Sequence, residues 1–302
     1  MTKLSEVSIA GVNLKLFSPH KVTLEKSGSA YNSFIGAVID IAGAIDVEVQ
    51  LELATMPDTA RMTRIFDTEQ VWSMFKQGRD YFMVRQLPDS DPLWVARFDN
   101  TFRAVTVFCG EKLQKRAAGN IVLFNPIEHP LDQLLLMYIL AGRQGAIFHA
   151  AGVNLNDQAY VFPGKSGAGK STLARQFLAD ATHEVLSDDR IVIRKIEGQF
   201  VAFGTPWLGD AGVARNESRP LAGIFFITQS PENKISNLTT PEALQRLLPI
   251  TSIPWYDRDI MPDILSFCDD LITSIPCYEL QCRPTPEVVN TVQAFQTRIA
   301  SQ

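Results

Sequence analysis

VFPGKSGAGKSTLARQF, running from Val161 to Phe177, sets a glycine-rich turn between an apolar run and an amphipathic one. Its centre, GKSGAGKS from Gly164 to Ser171, satisfies the spacing G-x-x-x-x-G-K-[ST]. Such a turn wraps backbone N–H groups and the start of a helix around anionic phosphate oxygens. Gly164, Gly167 and Gly169 permit positive φ and close backbone approach, Lys170 reaches the β and γ phosphates, and the Ser171 hydroxyl offers an oxygen to Mg²⁺. Lys165, Ser166, Ala168 and Thr172 complete the expected cradle by their place in or beside the turn. Residue frequencies alone produce the pattern in about one chain in a hundred of this length. The flanks argue against accident. AYVF reads as the strand that must precede the turn. A helix is predicted from Lys170 to about Ala181, with Leu173, Phe177 and Leu178 on its apolar side.

A phosphate loop by itself does not separate a motor, a switch, a transporter ATPase and a kinase, so a second carboxylate site has to decide. Asp188 and Asp189 follow in VLSDDRIVI, at the end of a short apolar run where a strand meets the level of the nucleotide. Adjacent acids divide two tasks: one holds Mg²⁺ beside Ser171, and the other accepts a proton from an attacking hydroxyl. An ABC-type ATPase would also carry an LSGGQ-like signature and a late apolar strand ending Asp-Glu, and this chain has neither.

Outward from the turn, strand and helix patterns alternate, as in a nucleotide-binding α/β core. NPIEHPLDQLLLMYILAGRQG predicts a helix with Pro130 at its first position, apolar residues at Leu131, Leu134, Leu135, Tyr138 and Ile139, and a stop at Gly142. AIFHAAGV, VLSDDRIVI and PLAGIFFIT read as strands. TPEALQRLL and TPEVVNTVQAF read as helices capped by Thr240 and Thr285, with Pro241 and Pro286 at their first positions.

Residues 1–125 look different. IDVEVQLEL, Ile45 to Leu53, alternates strictly, the mark of a half-buried strand. DYFMVRQL, LWVARFD, FRAVTVFC and NIVLF follow, parted by the turn formers Pro88, Asp89, Asp91, Pro92, Asp99, Asn100 and Gly119. Weak helical spacing shows only at Val71, Met74 and Phe75, ahead of Gly78. The expectation is a β-rich domain over 1–125 and a phosphate-loop domain over 126–302.

The chain has 302 residues, 46% of them hydrophobic, enough for two cores. A net charge of −5 supplies no basic field for nucleic acid. No apolar stretch is long enough to span a membrane and no signal peptide opens the chain, so a cytoplasmic protein is expected. Cys109, Cys268, Cys277 and Cys282 form no metal-binding spacing and are expected as reduced thiols.

Three features in order resemble the HPr kinase/phosphorylase family, whose nucleotide core is shared with phosphoenolpyruvate carboxykinases. They are a His-bearing strand (IFHAAGV, His149), the GxSGxGKS loop and the paired acids of LSDD, within about residues 130–230. The resemblance implies an HPr-kinase-like phosphate-loop fold and an ATP- and Mg²⁺-dependent kinase. Lys170 would hold the phosphates, Ser171 and Asp188 would bind Mg²⁺, Asp189 would act as base and His149 would lie near the transferred phosphate. The Ile-Arg-Gly segment of HPr kinases is replaced here by FGTPWLGDAGVARNESRPLAGIFF, so a divergent relative is implied rather than HPr kinase itself. The implied acceptor is a hydroxyl, a serine of a peptide or protein, with a small molecule as the alternative. The β-rich leader is a candidate for recognising that acceptor or for building a homo-oligomer. The loop around Trp207 and Asp210 is a candidate cover for the site, and Arg215 and Arg219 are candidates for neutralising transition-state charge. Two other classes stay open: an adenylylsulfate-kinase-like enzyme, and a nucleotide-binding sensor or scaffold without chemistry.

Overall fold

In KLSEVSIAGVNLKLF the alternating runs meet at Ala10 and Gly11, whose φ angles of 53° and 71° fold β1 (Thr2–Ile9) back on β2 (Val12–Ser18). The structure, a computed structural model, describes residues 1–39, 41–88, 90–117, 120–180 and 183–300. It is a mixed α/β chain, rich in sheet and with few helices. It divides into two units, Met1–Ile139 with Trp255–Arg258, and Leu140–Pro254 with Asp259–Gln302.

In the first unit, β3 (Val22–Leu24) is followed by β4 (Ile45–Glu52), where Ile45, Val47, Val49 and Leu51 are buried, as strict alternation demands. β5 (Thr63–Asp67), β6 (Trp72–Gln77), β7 (Asp80–Gln86), β8 (Pro92–Asp99) and β9 (Ala104–Cys109) form an antiparallel meander. β10 (Gln114–Ala117) and β11 (Asn120–Leu123) form a hairpin beside β3. The larger sheet runs β1-β2-β4-β9-β8-β7-β6-β5.

The weak helix at Val71, Met74 and Phe75 is not formed. Gly78, at φ 61°, turns Gln77 onto Asp80, and pairing with β7 fixes Met74 and Phe75 within β6, with Val71 just ahead of it. Of the expected turn formers, Asp89 and Gly119 lie outside the described residues. Asp99 accepts the N–H groups of Thr101 at 2.9 Å and Phe102 at 3.1 Å, a side-chain mimic of a backbone turn. α1 (Leu131–Ala141) begins just after Pro130 and ends before Gly142. Its Tyr138 ring meets Tyr81, Phe102 and Phe98 at centroid distances of 5.3, 5.5 and 5.8 Å.

The second unit opens with β12 (Gly145–Leu155) and β13 (Gln158–Pro163), a hairpin turned by Asn156 and Asp157, both at positive φ. α2 (Lys170–Leu178) follows; Ala181, where the predicted helix ended, lies outside the described residues. The expected alternation of strand and helix then stops. β14 (Glu184–Ser187), β15 (Arg190–Ile196), β16 (Gln199–Phe203) and β17 (Ser218–Gln229) succeed one another without a helix. VLSDDRIVI is thus two strands with the acids in the break between them. β12 explains the break: it pairs with β14 beyond Gly152 and with β15 up to His149, so the chain must jog where it passes from one to the other.

β18 (Lys234–Asn237), α3 (Thr240–Leu247), α4 (Met261–Ser274), β19 (Cys277–Cys282) and α5 (Glu287–Ala300) complete the unit. Thr239, not Thr240, caps α3, because its N–H donates to the Glu242 carboxylate at 2.9 Å as half of a capping box. α5 starts at Glu287, directly after Thr285 and Pro286. β13 runs parallel to β17, and β17 parallel to β19. Phe162 stacks on Phe225 at 5.5 Å, and Phe177 of α2 and Phe295 of α5 close over them. This core fixes α2 against the sheet.

All four cysteines are free and buried. Burial pushes the thiols of Cys109 and Cys277 up to about 12 and that of Cys268 to about 11, and raises that of Cys282. Among the described residues no helix is long and apolar enough to cross a membrane.

Candidate active site

The glycine-rich turn leaves the end of β13 and enters α2. Gly169, at φ 104°, precedes the first helical residue, and Gly167 sits at φ 80°, conformations that cost other L-residues dearly. The turn is closed by Ala168 N–H donating to the Lys165 carbonyl at 3.0 Å and by the Gln229 amide donating to the Gly167 carbonyl at 2.8 Å. Lys170 opens α2 and is 6% exposed. Its ammonium folds back over the turn and donates to the carbonyls of Gly164 at 2.9 Å and Lys165 at 3.2 Å. Burial lowers the Lys170 pKa from the ordinary lysine value, while the negative charges of Asp189 and Asp188 pull it upward. Ser171 and Thr172 are half-buried in the first turn of α2.

His149 joins the turn to the acids. Its backbone carbonyl accepts the Gly164 N–H at 3.3 Å, and its Nε2 lies 2.9 Å from Asp189 Oδ1. The neighbouring Ala150 N–H donates to the Asp189 carbonyl at 3.0 Å. The second Asp189 oxygen faces Arg190 Nε at 3.7 Å. Burial raises the Asp189 pKa, but the His149 contact and the charges of Arg190 and Lys170 outweigh it, and the carboxyl is held below its usual range. His149 and Asp189 are therefore brought together, within reach of the Lys170 charge.

Asp188 points elsewhere. It is fully buried, with Oδ1 accepting the N–H groups of Gly209 at 3.1 Å and Val213 at 3.2 Å, and Oδ2 accepting that of Ala211 at 2.7 Å. A Cβ on Gly209 would stand 2.4 Å from Asp188 Oδ2, so glycine is what admits the backbone this close. The sequence expectation of a metal-facing Asp188 meets a carboxylate engaged by a loop instead. The same three bonds, with Arg175 donating to the Asp210 carbonyl, hold the 209–213 segment in place. Trp207 is buried, a packing anchor of that loop. Arg215 and Arg219 both face Glu184 and Glu217, at 3.8 and 4.0 Å for Arg215 and at 3.2 and 3.4 Å for Arg219. Their charge is met by carboxylates of the same unit.

Two participants escaped the sequence reading. Arg190 stood in view as the residue after the acids, and its approach to Asp189 at 3.7 Å shows only in the structure. Gln229 stands far from the turn in sequence, and no local signal marks it.

No protein-family model matches the chain, and no curated protein matches it. Solved structures similar to it include the Hpr(Ser) kinase/phosphatase from Coxiella burnetii, at 12% identity and a TM-score of 0.31, over 51% of this chain and 98% of that one. A likeness of that size assigns neither fold nor activity.

Proposed function

We propose that this chain transfers the γ-phosphoryl group of ATP to a hydroxyl, a serine of a peptide or protein. The observation that carries the proposal is the meeting at His149, whose carbonyl anchors the glycine-rich turn while its imidazole grips Asp189. On this reading the turn receives phosphate, the Asp189 carboxylate, held below its usual range, stands on the far side of His149, and the buried Lys170 ammonium folds over the turn. That is the minimum equipment for phosphoryl transfer, which depends on positioning and charge neutralisation more than on covalent help from the protein.

In this mechanism the N–H groups of the turn and of the α2 N-terminus receive the phosphates. Lys170 has three N–H donors, two of which meet the Gly164 and Lys165 carbonyls; the third is assigned to a phosphate oxygen. Asp189, held ionised and oriented by His149, takes the proton of the acceptor hydroxyl as that oxygen bonds to the γ-phosphorus and the bond to the leaving nucleoside diphosphate breaks. Among the described residues no cluster of three or more His, Cys, Asp or Glu side chains offers a ready-made metal cage. Magnesium accompanying a triphosphate needs only one or two protein oxygens. The Ser171 hydroxyl fits that need. Asp188 fits it poorly, because complete burial and three N–H bonds already claim it. When bound, the ion neutralises charge on the phosphate oxygens.

The test is incubation of the purified protein with γ-labelled ATP and fractionated lysate, followed by identification of the molecule that takes up label. Label on a protein or peptide serine supports the proposal. Label on a sulfonucleotide would replace the acceptor class, and tight ATP binding with no labelled acceptor would point to a sensor. Lys170→Ala is expected to weaken ATP binding by at least tenfold in calorimetry, and unchanged affinity would remove the turn from the mechanism.

A further inference from the structure

The parallel strands β13, β17 and β19 all end at one edge of the second unit. β13 delivers the glycine-rich turn, β17 ends at Gln229, and β19 ends at Cys282, which pairs with Gln229 across the sheet. Crevices outside the carboxyl ends of parallel strands are where α/β sheets receive ligands. A cavity of about 490 Å³ opens there, bounded on one side by Gly167, Gly169 and Thr172 and on the other by Ser230, Arg283 and Val288. That volume lies in the range of small-molecule pockets.

We propose that this cavity seats the nucleobase and ribose of the nucleoside triphosphate whose phosphates the glycine-rich turn holds, an inference that rests on the function proposed above. The lining has the right chemistry. Ile227, Leu173, Pro231, Pro284 and Val288 give apolar walls for a flat ring. The Gln229 amide and the Ser230 hydroxyl each carry both donor and acceptor capacity for the polar edge of a base or for ribose hydroxyls, and the Arg283 guanidinium adds a positive face. Gln229 also donates to the Gly167 carbonyl at 2.8 Å. The residue at the floor of the base site therefore steadies the turn that binds phosphate, which couples recognition of the nucleoside to the shape of the phosphate cradle.

Calorimetry on the full chain with Mg²⁺ and either ATP or inorganic tripolyphosphate separates the two claims. Wild type should bind ATP at least tenfold more tightly than tripolyphosphate. Ser230→Trp, which fills the cavity, should abolish that difference while leaving tripolyphosphate affinity intact. Photolabelling of wild type with 8-azido-ATP gives a readout that does not depend on the variant folding, and should mark peptides containing residues 227–231 or 282–288. Equal affinity for ATP and tripolyphosphate, an ATP preference untouched by Ser230→Trp, or label confined to other peptides would overturn the base site while leaving the phosphate turn standing. Binding of neither ligand would overturn both.

Discussion

Asp188 and Asp189 are adjacent residues of one type, and the fold gives them opposite surroundings. Asp188 is buried and gives its oxygens to three backbone N–H groups of residues 209–213. Asp189 is partly open and meets His149, Arg190 and the charge of Lys170. Burial and partners decide the role of a carboxylate; its place in a motif does not. Both acids fall in the break between β14 and β15, outside the regular ladder on either side.

Asp189→Asn should break the comparison most sharply. Transfer should fall by about 10²–10⁴, or roughly 3–5 kcal/mol in barrier, while nucleotide affinity stays near wild type. Turnover close to wild type would take the base role from Asp189. Asp188→Ala should do the reverse and cost the fold about 3 kcal/mol or more, since three N–H donors lose a charged acceptor in a buried place. Denaturant melts measure it, and proteolysis should open first near residues 209–213. Gly209→Ala drives a methyl group onto the same carboxylate and should cost about 1–3 kcal/mol by the same melts.

The smallest effect lies in acid. A carboxyl held below its usual range stabilises the fold fully above the unfolded value of about 4, and that contribution is lost as pH falls through the folded value. The stability gap between wild type and Asp189→Asn should therefore close as melts are taken below about pH 4. A gap that persists at the lowest pH would mean that Asp189 is not held ionised by its neighbours.

What was legible in the sequence follows from how local each feature is. The turn into the helix at Lys170, the strict alternation of Ile45–Leu53 and the Pro130-to-Gly142 frame are all set within a few residues of themselves, and each is formed where the pattern put it. Val71, Met74 and Phe75 misled because pairing with β7 overrides a weak helical period. The Asp188–Asp189 pair was visible, but the loop that claims Asp188 was not, since Gly209, Ala211 and Val213 reach it from another part of the chain. Gln229 was hidden for the same reason.

The four cysteines are shielded from solvent with thiols that resist ionisation, so an alkylating reagent can reach them only when the fold around them opens. Cys109 lies in the first unit and Cys268, Cys277 and Cys282 in the second. The chain thus carries its own pair of clocks: the rate at which mass is added at Cys109 times the opening of one unit, and the rate at the other three times the opening of its neighbour. The cavity bordered by Cys282 lies in that second unit, so a nucleoside seated there would slow the three-thiol clock and leave the one at Cys109 running as before.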